Sequence, residues 1–120
     1  MDFDHDSEPK LPKMRMVHRR FDVAPPVDIP AELAREWTYI NDHLTLTPGS
    51  RVAIGVGSRG ISNLATVVST VAARLKEAGC RPFVTPAMGS HGGATAEGQV
   101  EVLRARGITE DNVGVPVRAS

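Results

Sequence analysis

Residues 51–86 constrain the fold more than any other stretch. Arg51-Val52-Ala53-Ile54-Gly55-Val56-Gly57 is a short apolar run ending in glycine, as expected of a strand buried in a sheet. Leu64, Val67, Val68, Val71, Ala72 and Leu75 then recur at helical spacing, giving one apolar face until Gly79 closes the helix. Ser62 or Asn63 is placed to cap its start. Arg81-Pro82-Phe83-Val84-Thr85-Pro86 follows directly as a second strand. A strand that returns to its sheet through a helix runs parallel to the first, with a right-handed crossover. Pro82 and Pro86 belong near the ends of that strand, where a missing ladder donor is tolerated.

The rest of the chain is read around this unit. Aromatic residues are only 4%, so the core must be built from Val, Ala, Leu and Ile, which suits parallel strands flanked by small-residue helices. A length of 120 residues suffices for one domain with one core. Residues 1–12, with Asp2, Asp4, Asp6 and Glu8, read as a disordered, solvated tail, and residues 13–120 as the domain. Lys13 to Phe21 loosely alternates apolar with polar, the pattern of a half-exposed strand that carries His18. Ala24-Pro25-Pro26 breaks it, and Pro30 opens a helix to about Asn41 with Leu33, Trp37 and Ile40 on one face, Trp37 serving as a core anchor. Thr47 to Ser50 is a turn. Beyond the second strand come a Gly-rich loop, Ala87 to Ala94, and a helix from about Thr95 to Arg106 with Ala96, Val100 and Leu103 facing inward. Val113 to Ser120 reads as the start of a further strand, so the domain is expected to be incomplete at its C-terminus.

Charge and cysteine content narrow the partners. Lys plus Arg number 14 and Asp plus Glu number 14, so the chain lacks the basic field of a nucleic-acid or anionic-membrane binder, while a local anion site stays open. The single cysteine, Cys80, forms neither an internal disulfide nor a cysteine-only metal cage, and reads as a buried or half-buried spacer. The first residues are acidic rather than basic and then apolar, which points to the cytoplasm. His5, His18, His43 and His91 are scattered without metal-ligand spacing.

Chemistry concentrates in the two glycine-rich loops. Gly55-Val56-Gly57-Ser58-Arg59-Gly60 satisfies the dinucleotide pattern G-x-G-x-x-G between a strand and a helix. The acidic residue that would meet a ribose about 20 residues further on is absent from Gly79 to Pro86, which argues against a nicotinamide dinucleotide. What survives is an anion site: glycines let backbone N–H groups approach a ligand, the following helix presents its positive end, and Arg59 adds a charged donor fork. The plainer alternative is a tight strand-to-helix turn with a solvated Arg59. Ligands of parallel sheets collect outside the C-terminal ends of the strands, so Arg59 and His91 are expected to face one crevice. His91, among small residues in Gly89-Ser90-His91-Gly92-Gly93, suits acid/base work. Ser90 beside it makes no nucleophile pair, because adjacent side chains on an extended loop diverge. Met88 reads as loop packing, and Glu97 as a carboxylate favoured by the first turn of its helix.

The stretch from Val52 to Ser120, above all Pro86-Ala-Met-Gly-Ser-His-Gly-Gly-Ala-Thr-Ala-Glu-Gly-Gln99, resembles the N-terminal domain of the lactate-racemase-like family of nickel-pincer-nucleotide enzymes. In that family one loop carries Asp-x-Thr-Arg, which binds the cofactor, and the next carries Gly-Thr-His-Arg, whose histidine is an acid/base. The corresponding residues are Val56-Gly57-Ser58-Arg59 and Gly89-Ser90-His91-Gly92. The arginine and histidine are kept and serine twice replaces threonine. Val56 stands in place of the aspartate and Gly92 in place of the second arginine, which marks a divergent member and points away from lactate itself.

The resemblance implies a racemase or epimerase of a 2-hydroxy acid or sugar acid, working by hydride transfer to a nickel-pincer nucleotide. His91 would be the acid/base, with Gly57, Ser58 and Arg59 on the cofactor. The second histidine, the lysine that attaches the cofactor and the histidine that ligates nickel find no match in this chain. A C-terminal domain is therefore expected to supply them, and the isolated chain is expected to be inactive. The fold expected is an α/β domain, a three-layer, Rossmann-like parallel sheet with its Gly-rich loops at the C-terminal strand ends. Two other readings remain: a non-catalytic anion- or nucleotide-binding module, and an inactive truncated fragment.

Overall fold

The computed structural model describes residues 12–120, so the expected acidic tail lies, apart from Pro12, outside the described residues. Its centre is the predicted parallel pair. Strands β1 (Arg51–Val56) and β2 (Arg81–Pro86) align Arg51 with Arg81, Ile54 with Val84 and Val56 with Pro86. Helix α2 (Leu64–Glu77) connects them.

Strand alternation decides which face is covered. Val56, Pro82 and Val84 are buried, whereas Arg51, Ala53, Gly55 and Arg81 on the other face are exposed. Against the buried face α2 lays Val68 and Ala72, and helix α3 (Ala96–Arg104) lays Leu103. Ile108, Val113 of the short helix α4 (Glu110–Val113) and Val115 complete this one core. Val84 lies at its centre, with 0% of its surface exposed. Its N–H donates to the Pro116 carbonyl at 2.8 Å and its carbonyl accepts from Arg118 N–H at 2.8 Å, which bridges it in parallel to Val117. The segment expected to begin a further strand thus pairs with β2 at one residue.

The ends of α2 follow the sequence only in part. Gly79 takes φ +78°, a left-handed conformation that suits glycine and stops the helix. At the start Asn63 occupies the cap position, but it is itself left-handed, at φ 59°, and its side chain makes no capping bond.

Helix α1 (Ile29–Asn41) begins as expected, with Asp28 accepting from Ala31 N–H at 3.1 Å and Pro30 in the first turn. It packs on α2. Trp37 is half-buried and lies outside the core, which corrects its reading as a core anchor. The reason is geometric: α1 leans on one neighbour, so its apolar face is covered from one side. Residues 12–28 form no helix or strand, so the strand expected over Lys13 to Phe21 is absent. Met14 and Met16 are 94% and 84% exposed. An alternating pattern becomes a strand only when a neighbour takes its backbone N–H and C=O groups, and none does so among the described residues. No helix among those residues is long and apolar enough to cross a membrane.

Candidate functional site

Because β1 and β2 run in the same direction, the loops that follow them emerge at one edge. Ala87 N–H donates to the Val56 carbonyl at 2.9 Å and holds the two exits together. The loops enclose a cleft of about 430 Å³. Gly57, Ser58 and Arg59 line it from the first loop and His91 from the second, over apolar walls that include Ile61, Leu64 and Met88. The four residues singled out from the sequence therefore share one crevice.

Ser58 Oγ and His91 Nδ1 are hydrogen-bonded across the cleft. The resemblance assigns Ser58 to the cofactor and the sequence sets Ser90 aside as a nucleophile, and neither reading anticipates this bond. Ser90, adjacent to His91, makes no side-chain hydrogen bond with it, whereas Ser58 lies 33 positions away and is delivered by the sheet edge. Only the parallel pairing of the strands predicts such a meeting, and pairing does not specify which side chain turns inward.

The loop around His91 is held by contacts on both sides. Gly89 is left-handed at φ +60°, and its carbonyl accepts from Gln99 Nε2 at 2.7 Å, which ties the loop to α3. Gly92, Gly93 and Ala94 follow with φ of +65°, +68° and +56°. Thr95 then caps α3, its Oγ1 accepting from Gly98 N–H at 3.1 Å. A Cβ placed on Gly98 would stand 1.9 Å from the Gly92 carbonyl oxygen, so the backbone of the loop rests directly on the helix. Met88 packs against the core and also lines the cleft, as the packing role foresaw.

The cleft has a cationic side. No carboxylate among the described residues pairs with Arg59. Gly57 leaves room beside it, since a Cβ there would find its nearest neighbour, the Ala87 carbonyl oxygen, only at 3.7 Å. Arg106, which the sequence did not flag, reaches the same loop beside the cleft without lining it: a Cβ on Gly60 would meet its Nη1 at 2.8 Å. On sequence alone Arg106 is an ordinary cation at the end of a helix. Glu97 sits in the first turn of α3 on a different hollow, with Arg104 and Arg118.

The remaining candidates fall elsewhere. Cys80 is buried, as its spacer role foresaw. His43 Nδ1 lies 2.8 Å from the Tyr39 carbonyl and its ring stacks at 4.5 Å on Tyr39. His5 is outside the described residues. No three His, Cys, Asp or Glu side chains gather into a metal cage among the described residues.

The arrangement offers an oxyanion two kinds of donor, the Arg59 guanidinium and the Ser58 hydroxyl, next to an imidazole able to take or give a proton. For a nickel-bearing nucleotide the fit is divided. The donors suit a phosphate or carboxylate, and His91 alone of the cleft residues has a metal-ligating nitrogen. Comparison with protein families, curated proteins and solved structures finds no match for this chain.

Proposed function

We propose that the chain is the N-terminal part of a lactate-racemase-like isomerase, one that inverts a carbon of a 2-hydroxy acid or sugar acid with a nickel-pincer nucleotide. One observation carries this reading. Residues that resemble the family's two motifs, Ser58-Arg59 and His91, line the same cleft although the sequence separates them by more than a helix. The same reading makes β1, β2 and the Val117 segment part of a three-layer, Rossmann-like sheet in a cytoplasmic protein. The parallel pairing and the glycine-rich loops at the C-terminal strand ends support the fold.

Arg59, with the space left by Gly57, would hold the nucleotide phosphate, and the Ser58 hydroxyl is a further donor in reach. When bound, the cofactor supplies an acceptor for the hydrogen on the substrate α-carbon. His91 takes the proton of the substrate hydroxyl and returns it, as an imidazole near neutrality does well. Ile61, Leu64 and Met88 give one side of the cleft an apolar lining. Nickel ligation and covalent attachment fall to groups outside these residues, in the C-terminal domain that the reading requires.

Calorimetry of the chain with a pyridinium mononucleotide tests the binding half. Arg59→Ala is expected to weaken binding at least about tenfold, the worth of one charge-assisted hydrogen bond, and His91→Ala to leave it largely unchanged. In the nickel-loaded intact protein His91→Ala is expected to abolish racemisation. Racemisation or stoichiometric nickel on the isolated chain would overturn the proposal. Arg59, which has no carboxylate partner among the described residues, also favours a second reading, a non-catalytic anion-binding module. That reading prevails if the nucleotide binds and His91→Ala leaves turnover of the intact protein unaffected.

A further inference from the structure

Ser58 has more hydrogen-bonding capacity than the structure uses. Its hydroxyl meets His91 Nδ1 and has no second protein partner among the described residues. A hydroxyl offers one O–H donor and two lone pairs, and a neutral imidazole carries its proton on one nitrogen or the other. The pair therefore has two arrangements. If Ser58 donates to Nδ1, the ring proton sits on Nε2 and the histidine has no free basic nitrogen. If Nδ1–H donates to Ser58 Oγ, Nε2 keeps its lone pair and the Ser58 O–H is left to donate elsewhere.

What lies within reach of that O–H decides between them. Ser58 and Arg59 are consecutive and line the same cleft. The guanidinium is a pure donor, so the ligand it attracts is an oxyanion with lone pairs to offer. An oxyanion seated there accepts from Ser58 O–H and leaves only a Ser58 lone pair to face His91. The imidazole must then present Nδ1–H.

We propose that Ser58 is a positioning residue that couples an oxyanion in the Arg59 cleft to the tautomer of His91. The anion accepts from Ser58, Ser58 accepts from Nδ1–H, and Nε2 is left unprotonated as a base. This inference rests on the reading of the cleft as an anion site and deepens it. The resemblance gives the residue at position 58 to the cofactor alone, whereas its hydroxyl also governs the acid/base. Base competence then depends on occupancy: the histidine is poised for proton abstraction only when the anion is in place.

The experiment uses the full chain with ¹⁵N-labelled histidine and arginine. Long-range ¹⁵N–¹H spectra are recorded in alkaline buffer, where imidazole is neutral, with His91→Gln to assign the ring and Arg59→Lys to assign the guanidinium. Inorganic phosphate is the probe. Saturating phosphate is expected to make Nδ1–H the major form of His91 and to move the Arg59 side-chain signal. Ser58→Ala is expected to abolish the tautomer response while phosphate still moves Arg59, and Ser58→Thr, which keeps the hydroxyl, to restore it. A dominant Nε2–H form at saturating phosphate, or an unchanged response in Ser58→Ala, overturns the coupling and leaves the anion site standing if Arg59 still responds. A silent Arg59 signal overturns both.

Discussion

Glycines in the Pro86 to Gln99 string have different physical reasons, and single substitutions separate them. Gly98 lies in helix α3, where its missing Cβ leaves room for the Gly92 carbonyl; a methyl group there would stand 1.9 Å from that oxygen. Backbone, unlike a flexible side-chain tip, does not yield cheaply, so Gly98→Ala is expected to lose about 3 kcal/mol by overpacking. Gly93 has open space around it but a φ of +68°, so Gly93→Ala is expected to lose only the left-handed penalty of about 1 kcal/mol. Urea unfolding of the two variants measures the difference, and equal losses would refute the packing role of Gly98. Gly60 is a third case, because the atom it accommodates is the mobile tip of Arg106. Gly60→Ala is expected to change stability by no more than about 0.5 kcal/mol. The sequence shows all of these as glycines in loops or a helix and favours their use in approaching a ligand. That some of them make room for the chain's own backbone is a long-range fact, invisible without the fold.

Helix caps show the same division one scale up. Thr95 and Asp28 both accept from a backbone N–H three residues on, at 3.1 Å in each case; the sequence places the two starts at Thr95 and Pro30, within a residue or two, without identifying Asp28 as the cap. Their consequences differ, since α3 places Leu103 at 0% exposure in the core whereas α1 contributes no buried residue. Thr95→Ala is expected to lower global stability by about 1 kcal/mol, seen as an earlier urea midpoint. Asp28→Ala is expected to speed hydrogen exchange in the first turn of α1 and leave the midpoint in place, because local fraying need not involve global unfolding. A midpoint shift for Asp28→Ala would show that α1 is integral to the core. Residue patterns also placed β1, α2 and β2 to within a residue or two, because burial imposes their periods. Of the two cap candidates, Ser62 and Asn63, the structure puts Asn63 at the cap position, but with a left-handed backbone and no side-chain capping bond.

Across the whole molecule, burial begins late. Every fully buried residue among those described lies at or beyond Val56, while Met14, Met16 and Val23 are 94%, 84% and 94% exposed. The alternation over Lys13 to Phe21 states what a partner strand would have to match, but not whether one is present, which is why a half-exposed strand was legible and did not form. On the uncovered face of the sheet Arg51 and Arg118 set their guanidinium carbons 5.0 and 5.9 Å from the Phe83 ring centroid, so cations shield the largest apolar side chain there. The core that remains is built from the parallel unit, α3 and α4, and its stability is expected to be indifferent to residues 12–20. Trypsin tests this directly. Lys13, Arg15, Arg19 and Arg20 lie in exposed chain without helix or strand, whereas Arg74, Arg81 and Arg104 lie in hydrogen-bonded elements. Cleavage needs an extended, accessible segment, so the early cuts are expected at the first group, leaving a product that begins at Phe21 and persists. Mass spectrometry identifies that product, and its urea midpoint is expected to match that of the intact chain. A lower midpoint would mean that the amphipathic segment does find a surface to cover, and early cutting within α2 or β2 would mean that the parallel unit is not the stable centre described above.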